Sequence, residues 1–181
     1  MRGRSYSDEG IVLAKRSFGE ADRIISLYTK SHGRVSYVAK GIRRPLSRKR
    51  GHIEVFNQIR LQASVGRGID ILTEAEIINS FPEIRVSLKR VSLAYYFMEV
   101  VGRMTREHEA NQELYELIYE SLDKLNKTRQ LKKLRLEFVV NVLTLLGFWP
   151  KGKKLTFPDV KLEEVIERSI ASVRVGKRML K

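Results

Sequence analysis

The 181 residues include no cysteine. Disulfides, thiolate catalysis and any cysteine-built zinc site are therefore excluded. Histidine occurs three times, at positions 32, 52 and 108, without the spacing of a ligand set, so ordinary surface or core roles account for it. Long apolar runs are also missing. The richest, Phe138–Phe148, is interrupted by Asn141, Thr144 and Gly147 and cannot span a bilayer. The apolar run Ile11–Ala14 is too short for a signal peptide. The expectation is a cytoplasmic protein that makes no membrane contact.

Catalytic sets are equally scarce. Gly41, Gly51, Gly66 and Gly68 lack the spacing and the Gly-Lys-Ser/Thr ending of a nucleotide loop. Glu20 and Asp22 flank a hairpin, with Arg23 beside them as an ion-pair partner. Glu74 and Glu76 alternate on one strand, but a metal-dependent nuclease needs further acidic ligands and a base. No enzyme, cofactor or metal is expected.

Positive charge is what the chain has in excess. It carries 35 Lys and Arg against 21 Asp and Glu, a net +14, which favours a polyanionic partner. Residues 1–80 hold 15 basic and 8 acidic side chains, residues 81–126 hold 6 and 8, and residues 127–181 hold 14 and 5. Two basic ends thus flank a near-neutral middle. The densest stretch, Lys40 to Arg50, contains Lys40, Arg43, Arg44, Arg48, Lys49 and Arg50 and no acid. Gly41 and Pro45 interrupt regular pairing there, which predicts a basic loop projecting from a small sheet. Each Lys or Arg set on a phosphate releases a condensed counterion, the main source of sequence-independent nucleic-acid affinity.

The hydrophobic period changes once. β-Branched and aromatic residues with turn signals predict strands at about 10–18, 23–31, 33–40, 53–63 and 70–79. Ile25/Leu27/Thr29 and Val35/Tyr37/Ala39 alternate as one buried face. Ser31-His32-Gly33 and Gly66-Arg67-Gly68 are connections. Five short strands without a helix predict a small antiparallel barrel. The five-stranded Greek-key OB fold leads, since its strand 2–3 face and loops bind oligonucleotides, and a Src-homology-like barrel is the alternative.

Beyond Pro82 the period is helical. Val86, Val91, Ala94, Phe97, Met98, Val101 and Met104 mark one helix over about 86–106. Leu114, Leu117, Ile118, Leu122 and Leu125 mark a second, with Asn111 as N-cap. Leu131, Leu134, Phe138, Val142, Leu145 and Leu146 mark a third, stopped by Gly147 and Pro150. Leu162, Val165, Ile166, Ile170 and Val173 mark a fourth, at about 160–173. The architecture expected is α+β: an OB-fold nucleic-acid-binding domain over 1–80, then a helical bundle domain over 81–181.

These residues carry a resemblance. Glu9-Gly-Ile-Val-Leu13, Phe18-Gly-Glu-Ala-Asp-Arg-Ile-Ile-Ser-Leu-Tyr-Thr29, Gly33-Arg-Val35, Ala39-Lys-Gly-Ile-Arg-Arg-Pro-Leu-Ser-Arg48 and Gly68-Ile-Asp-Ile-Leu-Thr-Glu-Ala-Glu76 resemble, in order and spacing, the N-terminal domain of the RecO recombination-mediator family. Val173-Arg-Val-Gly-Lys-Arg-Met-Leu180 resembles its C-terminal end. The resemblance implies an OB barrel followed by helices. It implies a bacterial, nucleoid-associated DNA repair and recombination mediator of the RecFOR pathway, which binds and anneals single-stranded DNA. It further implies loading of RecA onto strands coated by single-strand-binding protein, with single-stranded and double-stranded DNA, RecR and the acidic tail of that protein as partners. Many relatives carry a four-cysteine zinc module after the helix that ends here at Leu146-Gly-Phe-Trp-Pro150. This chain passes through Lys151-Gly-Lys-Lys154 into its last helix, so that module does not carry over.

The expected mechanism follows from these assignments. Lys40, Arg43, Arg44, Arg48, Lys49 and Arg50 neutralise phosphates, and Lys15, Arg16, Arg23 and Arg67 extend the groove. Tyr28 and Tyr37 stack bases, worth ~1–3 kcal/mol each, with barrel core as the other reading of both; for Phe56 core is preferred. A second basic surface, Arg129, Lys132, Lys133, Arg135, Arg174, Lys177, Arg178 and Lys181, holds a second strand or the acidic tail; a solvated helix face is its plain alternative. Weak base readout leaves Watson–Crick edges free to pair. Two rival readings stand beside this one: an RNA-binding OB module of translation or ribosome assembly, and a nuclease using Glu74 and Glu76.

Overall fold

The computed structural model describes residues 5–45, 47 and 51–166. Five strands, β1 (Ser5–Phe18), β2 (Asp22–Thr29), β3 (Gly33–Ala39), β4 (Gln58–Ser64) and β5 (Asp70–Asn79), close a barrel in the order β1-β2-β3-β5-β4. The long β1 pairs with β4 through Ser5–Ile11 and with β2 through Gly10–Phe18. A register shift between Val12 and Ala14 lets it turn from one partner to the other. β3 closes on β5 in parallel at Tyr37–Asp70 and Val38–Ile71. This is the OB barrel, not the Src-homology-like alternative.

The inner face follows the alternation in the sequence. Ile25, Leu27, Val35, Tyr37 and Ala39 are buried with Val12, Ile42, Ile53, Ile59, Leu61, Ala63 and Leu72, and Thr29 is buried beside them. At one end of this core the Tyr6 hydroxyl donates to Asp70 Oδ2 at 2.6 Å and lies 3.4 Å from that of Tyr37. Burial, then the bond to Asp70, pushes the Tyr6 phenol up to about 12. Burial drives that of Tyr37 higher still.

Two strand limits differ from the sequence reading. β1 begins at Ser5 rather than near residue 10, and β4 begins at Gln58 rather than 53. Residues 53–57 look strand-like because Ile53, Val55 and Phe56 are buried. They are a turn, with Phe56 at φ 60°. The Phe56 N–H donates to the Val12 carbonyl, and the Val12 N–H to the Asn57 carbonyl, so the turn takes up the backbone groups that the β1 irregularity frees.

Thr105–Gln112 belongs to the barrel unit although it lies between two helices in sequence. It forms a strap on the β2–β3 hairpin. Arg34 and Glu107 make a parallel bridge, the His108 N–H donates to the Arg34 carbonyl at 2.9 Å, and Ser36 Oγ donates to Glu107 at 2.9 Å. Gly33 makes this fit possible. Its φ is +68°, and a Cβ there would stand 2.1 Å from the Glu109 carbonyl oxygen. Gly33→Ala is therefore expected to destabilise the barrel by about 2–4 kcal/mol, from left-handed strain plus overpacking. Chemical denaturation measures it; a loss under 1 kcal/mol would mean that the strap is not held against Gly33.

The helical unit contains α1 (Pro82–Arg85), α2 (Leu88–Met104), α3 (Gln112–Lys127, in this unit from Glu113), α4 (Leu131–Leu145) and α5 (Pro158–Ile166). The first expected helix is thus split. Pro82 starts a one-turn helix that buries Ile84, and Val86, taken from the period as a core residue, is 78% exposed as its C-cap. Leu93, Ala94, Phe97, Met98 and Val101 of α2 are buried, as are Leu114, Ile118, Leu122 and Leu125 of α3. Leu134, Phe138 and Val142 of α4 and Leu162 of α5 are buried too. Phe97 and Phe138 stack with centroids 4.0 Å apart. Gly147, at φ +81°, ends α4 as read from the sequence. Ile170, Val173 and the C-terminal motif lie outside the described residues.

Candidate nucleic-acid interface

The described part of the basic stretch, Lys40–Pro45 and Ser47, is a turn stapled to the β1–β2 hairpin rather than a free projection. Gly41, at φ +65°, places its N–H 2.7 Å from Asp22 Oδ1. The Arg43 N–H donates to the Ala21 carbonyl at 2.9 Å, and the Arg44 N–H to the Gly41 carbonyl at 3.1 Å. Ile42 is buried in the barrel core. Asp22 therefore serves the turn, whereas the sequence suggested an ion pair with Arg23. The staple leaves the side chains of Lys40, Arg43 and Arg44 exposed, with Arg43 Nη1 3.4 Å from the Gly19 carbonyl. Arg48, Lys49 and Arg50 lie outside the described residues.

Of the flanking cations, Arg16 is exposed on β1, opposite Ile24. Arg23, partly exposed, pairs with Ser17 and Ala39, directly beside Lys40. Among the described residues, Arg16, Arg23, Lys40 and Arg44 enter no ion pair. Lys15 does, with Glu54, and is partly buried. Arg67 is exposed but misplaced for this cluster. It precedes the parallel pair Tyr37–Asp70, whereas Lys40–Arg44 follow it, so the two lie at opposite ends of the β3–β5 ladder.

The aromatic assignments need correction. Tyr28 and Tyr37 are fully buried and cannot stack bases. Tyr37 points into the barrel. Tyr28 has outward parity, but the strap covers it and the Asn111 carbonyl accepts its hydroxyl at 3.4 Å; burial raises its pKa. Phe56 is core, as the sequence suggested. The exposed aromatic beside the basic turn is Phe18, the last residue of β1 and 48% exposed. Its signal in the sequence was its place before Gly19 at a hairpin tip.

On the helical unit, Arg129, Lys132 and Lys133 are exposed at the start of α4 and, with Lys89, line an open depression. The turn that carries Arg129 is pinned by the Arg90 guanidinium, which donates to the carbonyls of Asn126 at 2.9 Å and Thr128 at 3.0 Å. Arg135 drops out of this surface. It is largely buried, bound to both oxygens of Asp159 at 2.5 and 3.1 Å, and sits 5.9 Å over the Tyr96 ring. Burial opposes its charge, but the carboxylate outweighs burial and its pKa rises. Arg174, Lys177, Arg178 and Lys181 lie outside the described residues.

His32 and His52 have ordinary hydrogen-bond partners, and Glu74 and Glu76 have ordinary strand neighbours. His32 Nδ1 lies 2.7 Å from the Asp8 carboxylate, and His52 accepts from the Ile77 N–H. Glu76 stands opposite Arg60, and Glu74 opposite Gln62. Among the described residues, no three His, Asp or Glu gather as a metal site, and no helix is long and apolar enough to cross a membrane.

Known proteins share this organisation. Residues 1–81 match the family model described as recombination protein O N terminal, and residues 85–154 the one described as recombination protein O C terminal. The DNA repair protein RecO of Pelotomaculum thermopropionicum is 37% identical over 145 residues, 80% of this chain and 56% of that protein. That of Roseiflexus sp. is 32% identical over 151 residues, 83% of this chain and 53% of the relative. That of Symbiobacterium thermophilum is 35% identical over 146 residues, 80% and 58% respectively. The match thus spans little more than half the length of these relatives. With an OB barrel followed by helices, and the family's N- and C-terminal models matched in succession over those two regions, the chain belongs to the RecO family of recombination proteins.

Proposed function

We propose that this chain acts in DNA repair and homologous recombination by holding single-stranded DNA on the basic turn of its barrel and annealing it to a complementary strand. The observation that carries this reading is the set Lys40, Arg43, Arg44, Arg16 and Arg23, whose side chains meet no described carboxylate, on a fold whose hairpin loops bind oligonucleotides. Cations that no described carboxylate neutralises remain free to displace counterions from a phosphate backbone. Neutralised strands approach each other, and a site that does not read base edges leaves them free to pair. The work is done by binding alone, without nucleotide hydrolysis. Arg129, Lys132 and Lys133 would take a second strand or the acidic tail of single-strand-binding protein. RecR and RecA complete the proposed set of partners, RecA being loaded onto strands that single-strand-binding protein has coated.

The test mixes labelled complementary strands with and without single-strand-binding protein, no ATP being added, and follows duplex formation and strand length. Faster annealing with intact strands is expected. Unchanged annealing at saturating protein would overturn the reading. Shortened strands with magnesium present would favour a nuclease, and preference for folded RNA without annealing would favour an RNA module.

A further inference from the structure

We propose that Phe18 is the base-stacking platform of this chain and the residue that makes it prefer single strands to duplex. The inference rests on the DNA-binding reading above and goes beyond it to a specificity determinant. A ring 48% exposed leaves much apolar surface in water. A lone exposed aromatic would mean little, but this one ends the strand that carries Arg16 and adjoins the hairpin tip to which the basic turn is bonded. Arg16 and Phe18 are two apart on β1 and share a face. The carbonyl of Gly19, the next residue, accepts from Arg43 Nη1 at 3.4 Å. Asp22, opposite Phe18, holds the Gly41 N–H and so fixes the turn bearing Lys40 and Arg44 against the same tip. Cations around an exposed π-face are the two parts of a single-strand site: charge tracks the backbone, and the ring takes a base of any sequence. Tyr28 and Tyr37 are buried and cannot supply that ring. Bases paired inside a duplex have no free face to offer, which gives the discrimination.

The experiment measures Kd of the full chain and of Phe18→Ala for three probes: a labelled oligothymidylate, an abasic strand of equal length and charge, and a duplex. For oligothymidylate, Phe18→Ala should raise Kd about tenfold, with an unchanged salt slope. Binding to the abasic strand and the duplex should not move. Phe18→Trp should restore the affinity, and Phe18→Leu, which keeps the bulk without the π-face, should not; it also serves if the alanine variant folds poorly. No loss on oligothymidylate, or an equal loss on the abasic strand, would overturn the stacking role while leaving the phosphate site standing. If the unaltered chain binds none of the probes, the DNA-binding reading fails and this inference with it.

Discussion

Replacing Phe138 by Ala is expected to lower the unfolding free energy by about 3–5 kcal/mol. Phe138 is buried on α4 and stacks on Phe97 of α2 at 4.0 Å with an interplanar angle of 27°. Truncation removes the transfer energy of the ring, leaves a cavity between two helices, and strips Phe97 of its stacked neighbour. Relaxation is limited because Leu134, Val139 and Val142 on the same helix are themselves buried. The 181 residues hold no cysteine, and buried apolar side chains of α2, α3 and α4 pack in this way within the helical unit. A chelator should accordingly leave the melting curve where it is, since a zinc-dependent module unfolds on losing its metal. Denaturant titration of the variant and its parent measures the first effect. A change below 1 kcal/mol, or a melting temperature that falls with chelator, would show that something other than this helical core carries the stability.

The second large effect is expected from reversing Arg43 and Arg44 to Glu. If four to six basic groups of the turn contact single-strand phosphates, log K should fall against log salt with a slope of roughly −3 to −4, at about −0.7 per contact. The double reversal should flatten that slope by roughly 1–2 and weaken every sequence alike. At 0.15 M salt two lost contacts alone amount to about a tenfold loss of affinity, and the introduced repulsion adds to it. The fold should survive, because the structural bonds of both residues to the hairpin and turn run through their backbone N–H and carbonyl groups, which glutamate also supplies. The Arg43 side chain adds only a 3.4 Å contact to Gly19. Fluorescence anisotropy across a salt series reads slope and affinity together. An unchanged slope, or a loss confined to one sequence, would place the DNA on another surface.

By itself the sequence determined the number of strands, the place where helices take over, the inner face of β2 and β3, and the excess of cations at positions 40–44. These are local properties. Alternation of period two, helical spacing of apolar residues and runs of like charge can be read without knowing what lies across the fold. Tertiary structure decided which of those side chains remain available. Tyr28 has the parity of a surface residue, and only the strap from residues 105–112, remote in sequence, buries it. Arg135 reads as one more basic residue of α4 until α5 brings Asp159 against it. Ile53 and Val55 alternate like a strand, yet the bonds at Val12 draw them into a turn. Asp22 looks like the partner of its neighbour Arg23 but takes the Gly41 N–H instead. In each case the deciding partner is distant along the chain, and burial or a hydrogen bond from that partner outweighs the local pattern. Phe18 is the converse: an apolar residue at the end of a strand, which the closed barrel leaves in solvent beside the cations because its hairpin tip lies outside the core.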